Sequence, residues 1–235
     1  MNLLVIGASR GLGAAFATQL PKRGDTLWTV SRTPPEFPAL EQITQHWVEA
    51  DLSRSGAAKL LGAALEGQIL DAVIYNAGIW ESAAFSSSYD FESIPDEETE
   101  RILTVNLSSA ITCVRAVLPC LRRSSAGKVI LVGSTSGLEN SGRPEVAYSA
   151  SKFGLRGVAH ALREVLRSSK IPVTCLNLGD IGTVTVSEAG VSARGYDGRE
   201  LIDPSDVLEL VRCLLSLSNS SCVKEIDFCA LTDPL

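Results

Sequence analysis

Residues 5–17 read VIGASRGLGAAFA. A β-branched apolar run stops in glycine, and small residues at helical spacing follow. Gly7, Gly11 and Gly13 therefore fall between a first strand and a first helix. A tight turn at that place points backbone N–H groups and the positive end of the helix toward an anion. In a strand–turn–helix unit, such a loop is the cradle for the pyrophosphate of a dinucleotide, with Ser9, Arg10 and Leu12 on the same turn.

Working outward, the same alternation recurs along the chain. Apolar runs at 2–7, 26–31, 45–50, 70–76, 127–133, 171–178 and 223–228 are separated by helical patterns near 11–23, 54–65, 97–123, 147–169 and 204–217. Several runs are apolar almost throughout, as strands covered on both faces of a parallel sheet are. The pattern predicts one α/β domain over 1–235: a doubly wound parallel sheet of about seven strands with helices on both faces. Asp203 and Pro204 carry helix-start signals. Segments 79–96 and 182–202 read as loops overhanging the carboxyl ends of the strands, where ligands bind in such sheets.

Composition narrows the classes. A hydrophobic content of 45% and a net charge of −6 in 235 residues suit a folded, soluble protein. No Lys/Arg-rich run suggests nucleic acid, and no apolar stretch reads as a membrane span. The N-terminus lacks the basic region of a signal peptide, which points to the cytoplasm. Six cysteines form no C-x-x-C pair and only His46 and His160 accompany them, so no metal site is expected. The cysteines read as reduced, buried thiols, and His160 as a packing or surface residue.

The second strand ends TVSRTPP, with Ser31 and Arg32 where an NAD site usually carries a carboxylate for the ribose 2′-hydroxyl. Arg32, helped by Arg10, can pair with a 2′-phosphate, which favours NADP(H) over NAD(H). Tyr148 and Lys152, in AYSASKFGL (147–155), lie four apart and share one helix face. A phenol beside an ammonium is easier to ionise, which suits it to acid–base work near neutral pH. Ser134, in LVGSTSG at a strand end, is placed to donate to a developing oxyanion.

Together, GASRGLG, YNAG (75–78), Asn106, Ser134 and YSASK resemble the short-chain dehydrogenase/reductase family, with the match running from residue 3 to about 228. The resemblance implies an NADP(H)-dependent oxidoreductase that interconverts a carbonyl and a secondary alcohol. It implies Tyr148 as acid/base, Lys152 on the nicotinamide ribose, Ser134 on the substrate oxygen and Asn106 holding a water near the lysine. Ser134 is preferred to Thr135, which spacing counted back from Tyr148 favours. The resemblance also puts Asp51 and Leu52 beside the adenine, Asn76, Ala77 and Gly78 along the cofactor, and Gly179, Ile181 and Thr183 near the nicotinamide.

Leu178, Ile6 and Tyr75 depart from the family pattern, the last two weakening hydrogen bonds between loop and strand. Trp80, Phe85 and Tyr89 are candidates to line an apolar pocket. The substrate reads as a small or flat carbonyl compound, and assembly as a homodimer or homotetramer through the helices near 97–123 and 147–169 follows from the family. A dinucleotide-binding sensor with little turnover is the second reading, since the short form also resembles the developmental C-factor-like proteins.

Overall fold

The computed structural model describes residues 1–37, 39–139, 142–187, 190–195 and 201–233. Strand β1 (Asn2–Ile6) leads into helix α1 (Gly11–Gln19), then β2 (Thr26–Ser31), β3 (Thr44–Glu49), α2 (Ala57–Ala64) and β4 (Ala72–Tyr75). The second half runs through α3 (Asp96–Leu103), α4 (Ser109–Leu121), β5 (Lys128–Val132), α5 (Val146–Leu166) and β6 (Val173–Leu178). It closes with β7 (Thr183–Ser187), β8 (Gly190–Arg194), α6 (Pro204–Ser216) and β9 (Glu225–Phe228).

The main sheet has the order β3-β2-β1-β4-β5-β6-β9 and every pairing in it is parallel. Chain direction across the sheet reverses between β1 and β4, so a crevice opens at their carboxyl ends. Side chains alternate strictly between two cores. Leu4, Ile6, Val73, Tyr75, Val129 and Leu131 pack against α2, α4 and α5, while Leu3, Val5, Ile74, Ile130 and Leu176 pack against α1 and α6. The expected doubly wound fold with helices on both faces is what the chain forms.

Helix α6 starts where its signals place it, with the Asp203 carboxylate accepting the Ser205 N–H at 2.8 Å. Two expectations need correction. Segment 182–202 is not simply a loop: β7 and β8 pair as an antiparallel hairpin, turning Val184, Val186, Val191 and Ala193 toward the α1–α6 core. The helix expected over 97–123 is interrupted by a π-helical segment, Thr104–Ser108. There the Ser109 N–H reaches back to the Thr104 carbonyl, which leaves the Val105 carbonyl to accept from the Tyr75 phenol and the Ser109 hydroxyl. The Tyr75 side chain, whose departure from the family pattern suggested weaker bonding between loop and strand, finds its partners in the π segment. It ties the end of β4 to the π segment.

By length and composition, the 26-residue run Asp96–Leu121 is apolar enough to cross a membrane, which the sequence reading missed. Half of its most apolar window is buried, and its buried side chains belong to the core shared with α2 and α5. The thiols also divide: Cys113, Cys120 and Cys175 are buried, whereas Cys213 and Cys222 are exposed. On α5, Arg156, His160 and Arg163 all turn toward Glu225 of β9, at 3.0, 2.5 and 4.0 Å.

Candidate active site

The glycine loop closes against the end of β4. Gly7 has φ +85, and a Cβ on it would sit 2.7 Å from Ala77 backbone atoms. A Cβ on Gly13 would lie 1.9 Å from the Gly7 carbonyl oxygen. The Asn76 amide donates to that same carbonyl at 3.0 Å. Loop, helix start and the Asn76–Gly78 segment thus form one tight unit that admits no side chain at either glycine. No side chain caps the N-terminus of α1 and no acidic residue lies in its first turn. Its positive end faces the crevice without a neutralising carboxylate, as an anion site requires.

At the neighbouring strand ends, Arg10 and Arg32 are exposed. Ser31 is buried, its hydroxyl donating to the Thr33 carbonyl at 2.6 Å and accepting from the Trp47 indole at 3.0 Å. Its contribution at this edge is to hold the strand end rather than to present a free hydroxyl. Asp51 accepts from the Ser53 hydroxyl and N–H at 2.7 and 3.0 Å, and these bonds, aided by the charges of Arg32 and Arg54, hold its carboxyl below the ordinary value. Leu52 beside it is buried.

Asn106, fully buried at the centre of the π segment, accepts the Ile79 N–H at 2.8 Å. Its amide donates to the Ile79 carbonyl at 2.7 Å and to the Ser151 hydroxyl at 2.9 Å. Both amide hydrogens are thereby committed to protein partners, so this side chain clamps the chain leaving β4.

Ser134, Tyr148 and Lys152 meet at the end of β5. Gly137 makes this possible: a Cβ there would lie 2.8 Å from the Lys152 backbone, so the turn Thr135–Gly137 presses directly on α5. The Ser134 hydroxyl lies close enough to the Tyr148 phenol to lower its pKa, and it accepts the Ser136 N–H at 3.1 Å. Of the two hydroxyls considered, it is Ser134 that faces the phenol, while Thr135 opens the turn behind it. The Lys152 Nζ lies 5.5 Å from the Tyr148 ring centroid and donates to the Val132 carbonyl at 3.0 Å.

The electrostatics differ from the sequence expectation. Burial raises the Tyr148 phenol above its ordinary value, outweighing the lowering effect of the nearby Ser134 hydroxyl. Burial likewise depresses Lys152, to about 8. In the protein alone, desolvation therefore dominates the phenol's shift, and the cation that lowers it is Arg143.

Gly179 is packed against the C-terminal turn, since a Cβ would lie 2.4 Å from an Asp233 carboxylate oxygen. Ile181 joins the α1–α6 core, and Thr183 begins β7, exposed.

Sequence reading missed two buried carboxylates. Glu81 accepts the N–H groups of Ala147 and Tyr148 at 2.9 and 3.3 Å, capping α5 from outside the helix. Glu145 accepts the Phe85 N–H at 2.8 Å in return. Glu145 stands at the residue before α5, where Ser, Thr, Asp or Asn is the usual start signal, and nothing local marks either group as buried. Arg143, paired with Asp180 at 2.8 Å, was also missed. Tyr89, a candidate for the pocket, accepts the Val146 N–H through its hydroxyl and lines a mainly apolar cavity with Phe91, Ile94 and Leu103.

Residues 1–192 match the family model described as short chain dehydrogenase. The chain belongs to the short-chain dehydrogenase family. Over 197 residues it is 33% identical to a 3-oxoacyl-[acyl-carrier-protein] reductase of Aggregatibacter actinomycetemcomitans, covering 80% of this chain and 78% of that protein. In fold it is similar to the alcohol dehydrogenase of the archaeon Thermococcus sibiricus complexed with 5-hydroxy-NADP. That likeness has a TM-score of 0.76 and 20% identity, over 98% and 96% of the two chains. It is similar also to the RhlG/NADP active-site complex of Pseudomonas aeruginosa, with a TM-score of 0.73 and 23% identity over 96% and 94%. This short-chain dehydrogenase is therefore a member of an oxidoreductase family with the full family fold.

Proposed function

We propose that the protein is an NADP(H)-dependent oxidoreductase that interconverts a carbonyl compound and a secondary alcohol. The observation that carries this reading is the meeting of the Ser134 hydroxyl, the Tyr148 phenol and the Lys152 ammonium at the strand edge that also bears the glycine cradle. The cofactor, when bound, supplies or accepts the hydride. The protein's own groups handle the proton. A phenol is neutral at neutral pH and burial raises its pKa further, so Tyr148 holds a proton that it can give to the oxygen of a carbonyl being reduced. Ser134 donates to the same oxygen as negative charge develops. The phenolate left behind keeps the Lys152 charge within reach.

The residues present fit a dinucleotide. Gly7, Gly11 and Gly13, with Ser9, Arg10 and Leu12, would hold the pyrophosphate at the start of α1, and Arg10 and Arg32 would flank a 2′-phosphate. Asp51, Leu52 and Asn76–Gly78 would line the adenosine and ribose, and Lys152 the nicotinamide ribose. The Thermococcus and Pseudomonas proteins bind cofactors of the NADP class, which supports the same choice here. A small-molecule carbonyl substrate, a cytoplasmic location and assembly as a homodimer or homotetramer complete the proposal.

The test is NADPH oxidation across aldehydes, ketones and quinones. Turnover is expected in wild type and is lost in Tyr148→Phe. Binding of NADPH without any turnover would favour the sensor reading. NADPH should stabilise the protein more than NADH at equal concentration, and Arg32→Ala should shrink the difference. Equal shifts, unchanged in Arg32→Ala, would remove the 2′-phosphate argument.

A further inference from the structure

The strap leaving β4 is fastened to the site at three places. Asn106 holds both backbone groups of Ile79, Glu81 holds the first N–H groups of α5, and Glu145 of α5 holds the Phe85 N–H. Glu81 and Glu145 are each only 1% exposed, and among the described residues one oxygen of each has no hydrogen-bond partner. Burying carboxylates with incomplete partners is costly, so the fastening is not a by-product of stability.

What the fastening holds in place is aromatic. Phe85 sits at φ +61, a conformation that costs energy for a residue with a side chain, and such strain concentrates at ligand-binding sites. Its ring stands perpendicular to Tyr148 with centroids 5.7 Å apart. Trp80 stands perpendicular to Tyr148 at 6.3 Å and meets Phe85 at 5.6 Å. Both rings remain substantially open to solvent, Trp80 at 52% and Phe85 at 42%. Arg143 lies over Phe85 at 5.7 Å, but its charge is answered by Asp180.

A molecule with its carbonyl oxygen between Ser134 and Tyr148 would therefore meet polar hydroxyls at one end, exposed aromatic faces at its side and a charge-balanced rim. We infer that Trp80 and Phe85 are specificity-determining residues that select a flat, conjugated, uncharged carbonyl substrate such as an aryl ketone or quinone; this rests on the reading of Tyr148 as proton donor. Ring-on-ring contact adds to simple burial, whereas a saturated ring of equal size gains only the burial. Among the described residues of the rim, the cation beside Phe85 is already paired, which disfavours an anionic carrier-linked acyl chain.

The experiment compares kcat/KM for acetophenone, cyclohexyl methyl ketone and an acetoacetyl thioester of N-acetylcysteamine with NADPH. Wild type should favour acetophenone over its saturated analogue by about tenfold. Phe85→Leu and Trp80→Leu should each lower that ratio roughly two- to tenfold, through KM for the aryl ketone. The wild-type ratio needs no variant, and Trp80→Leu changes an exposed side chain, so misfolding of one variant leaves the inference testable. Preference for the thioester, a ratio near one, or ratios unchanged in both variants would overturn it, as would failure to reduce either ketone. Turnover that survives in Tyr148→Phe would instead defeat the underlying reading of the proton donor.

Discussion

Replacing Asn106 by alanine tests whether the π segment clamps the site or merely accompanies it. The substitution strips partners from the Ile79 N–H, the Ile79 carbonyl and the Ser151 hydroxyl, bonds of 2.8, 2.7 and 2.9 Å. A buried polar group left unpaired costs about 1–3 kcal/mol; Ile79 is only partly buried and the Ser151 hydroxyl keeps its bond to the Tyr148 carbonyl, so the low end applies to each. The sum is about 3 kcal/mol. In a chain of this size, that lowers Tm by roughly 6–12 °C. Thermal unfolding by circular dichroism reads it directly. Asn106→Asp sharpens the comparison, because it keeps the acceptor for the Ile79 N–H but sets a second acceptor against the Ile79 carbonyl. It should be no more stable than the alanine variant at neutral pH. A Tm within about 2 °C of wild type for Asn106→Ala would refute the clamp.

Gly13→Ala should lose NADPH binding and fold poorly, since the added methyl would overlap the Gly7 carbonyl; a titration matching wild type would contradict the packing described. Lys152 gives a pH signature. Its folded pKa of about 8 lies below the ordinary lysine value, so the unfolded chain holds the proton more tightly. The cost is fully present below pH 8 and is relieved as pH rises from about 8 to about 10.4. The stability of wild type relative to Lys152→Met should therefore climb across that window in denaturant titrations, and a flat difference would show that the lysine is not desolvated.

The sheet was legible because its strands, covered on both faces, are written almost wholly in apolar residues, as in VILV of 129–132. The glycine loop was legible because steric exclusion leaves only one residue type at Gly7 and Gly13. The β7–β8 pairing was readable and went unread: Val184 and Val186, then Val191 and Ala193, alternate with polar residues on either side of Gly190. What could not be read were contacts between distant segments. Glu81 looks like any loop carboxylate until the fold brings α5 onto it, and Tyr75 looks like a defect until the Val105 carbonyl turns toward its phenol. The direction of the Tyr148 shift was likewise hidden, because burial is set by the fold and not by the spacing to Lys152.

The convergence of Arg156, His160 and Arg163 on Glu225 joins two distant parts of the chain at one edge of the sheet. All three side chains stand on the helix that carries Tyr148, and the carboxylate they share belongs to the last strand. Arg156 also donates to the Gly137 carbonyl at 2.8 Å, behind Ser134. The turn that presents Ser134 is thus braced from the far end of the sequence, so a change at Glu225 would reach the candidate site through Arg156 without touching it.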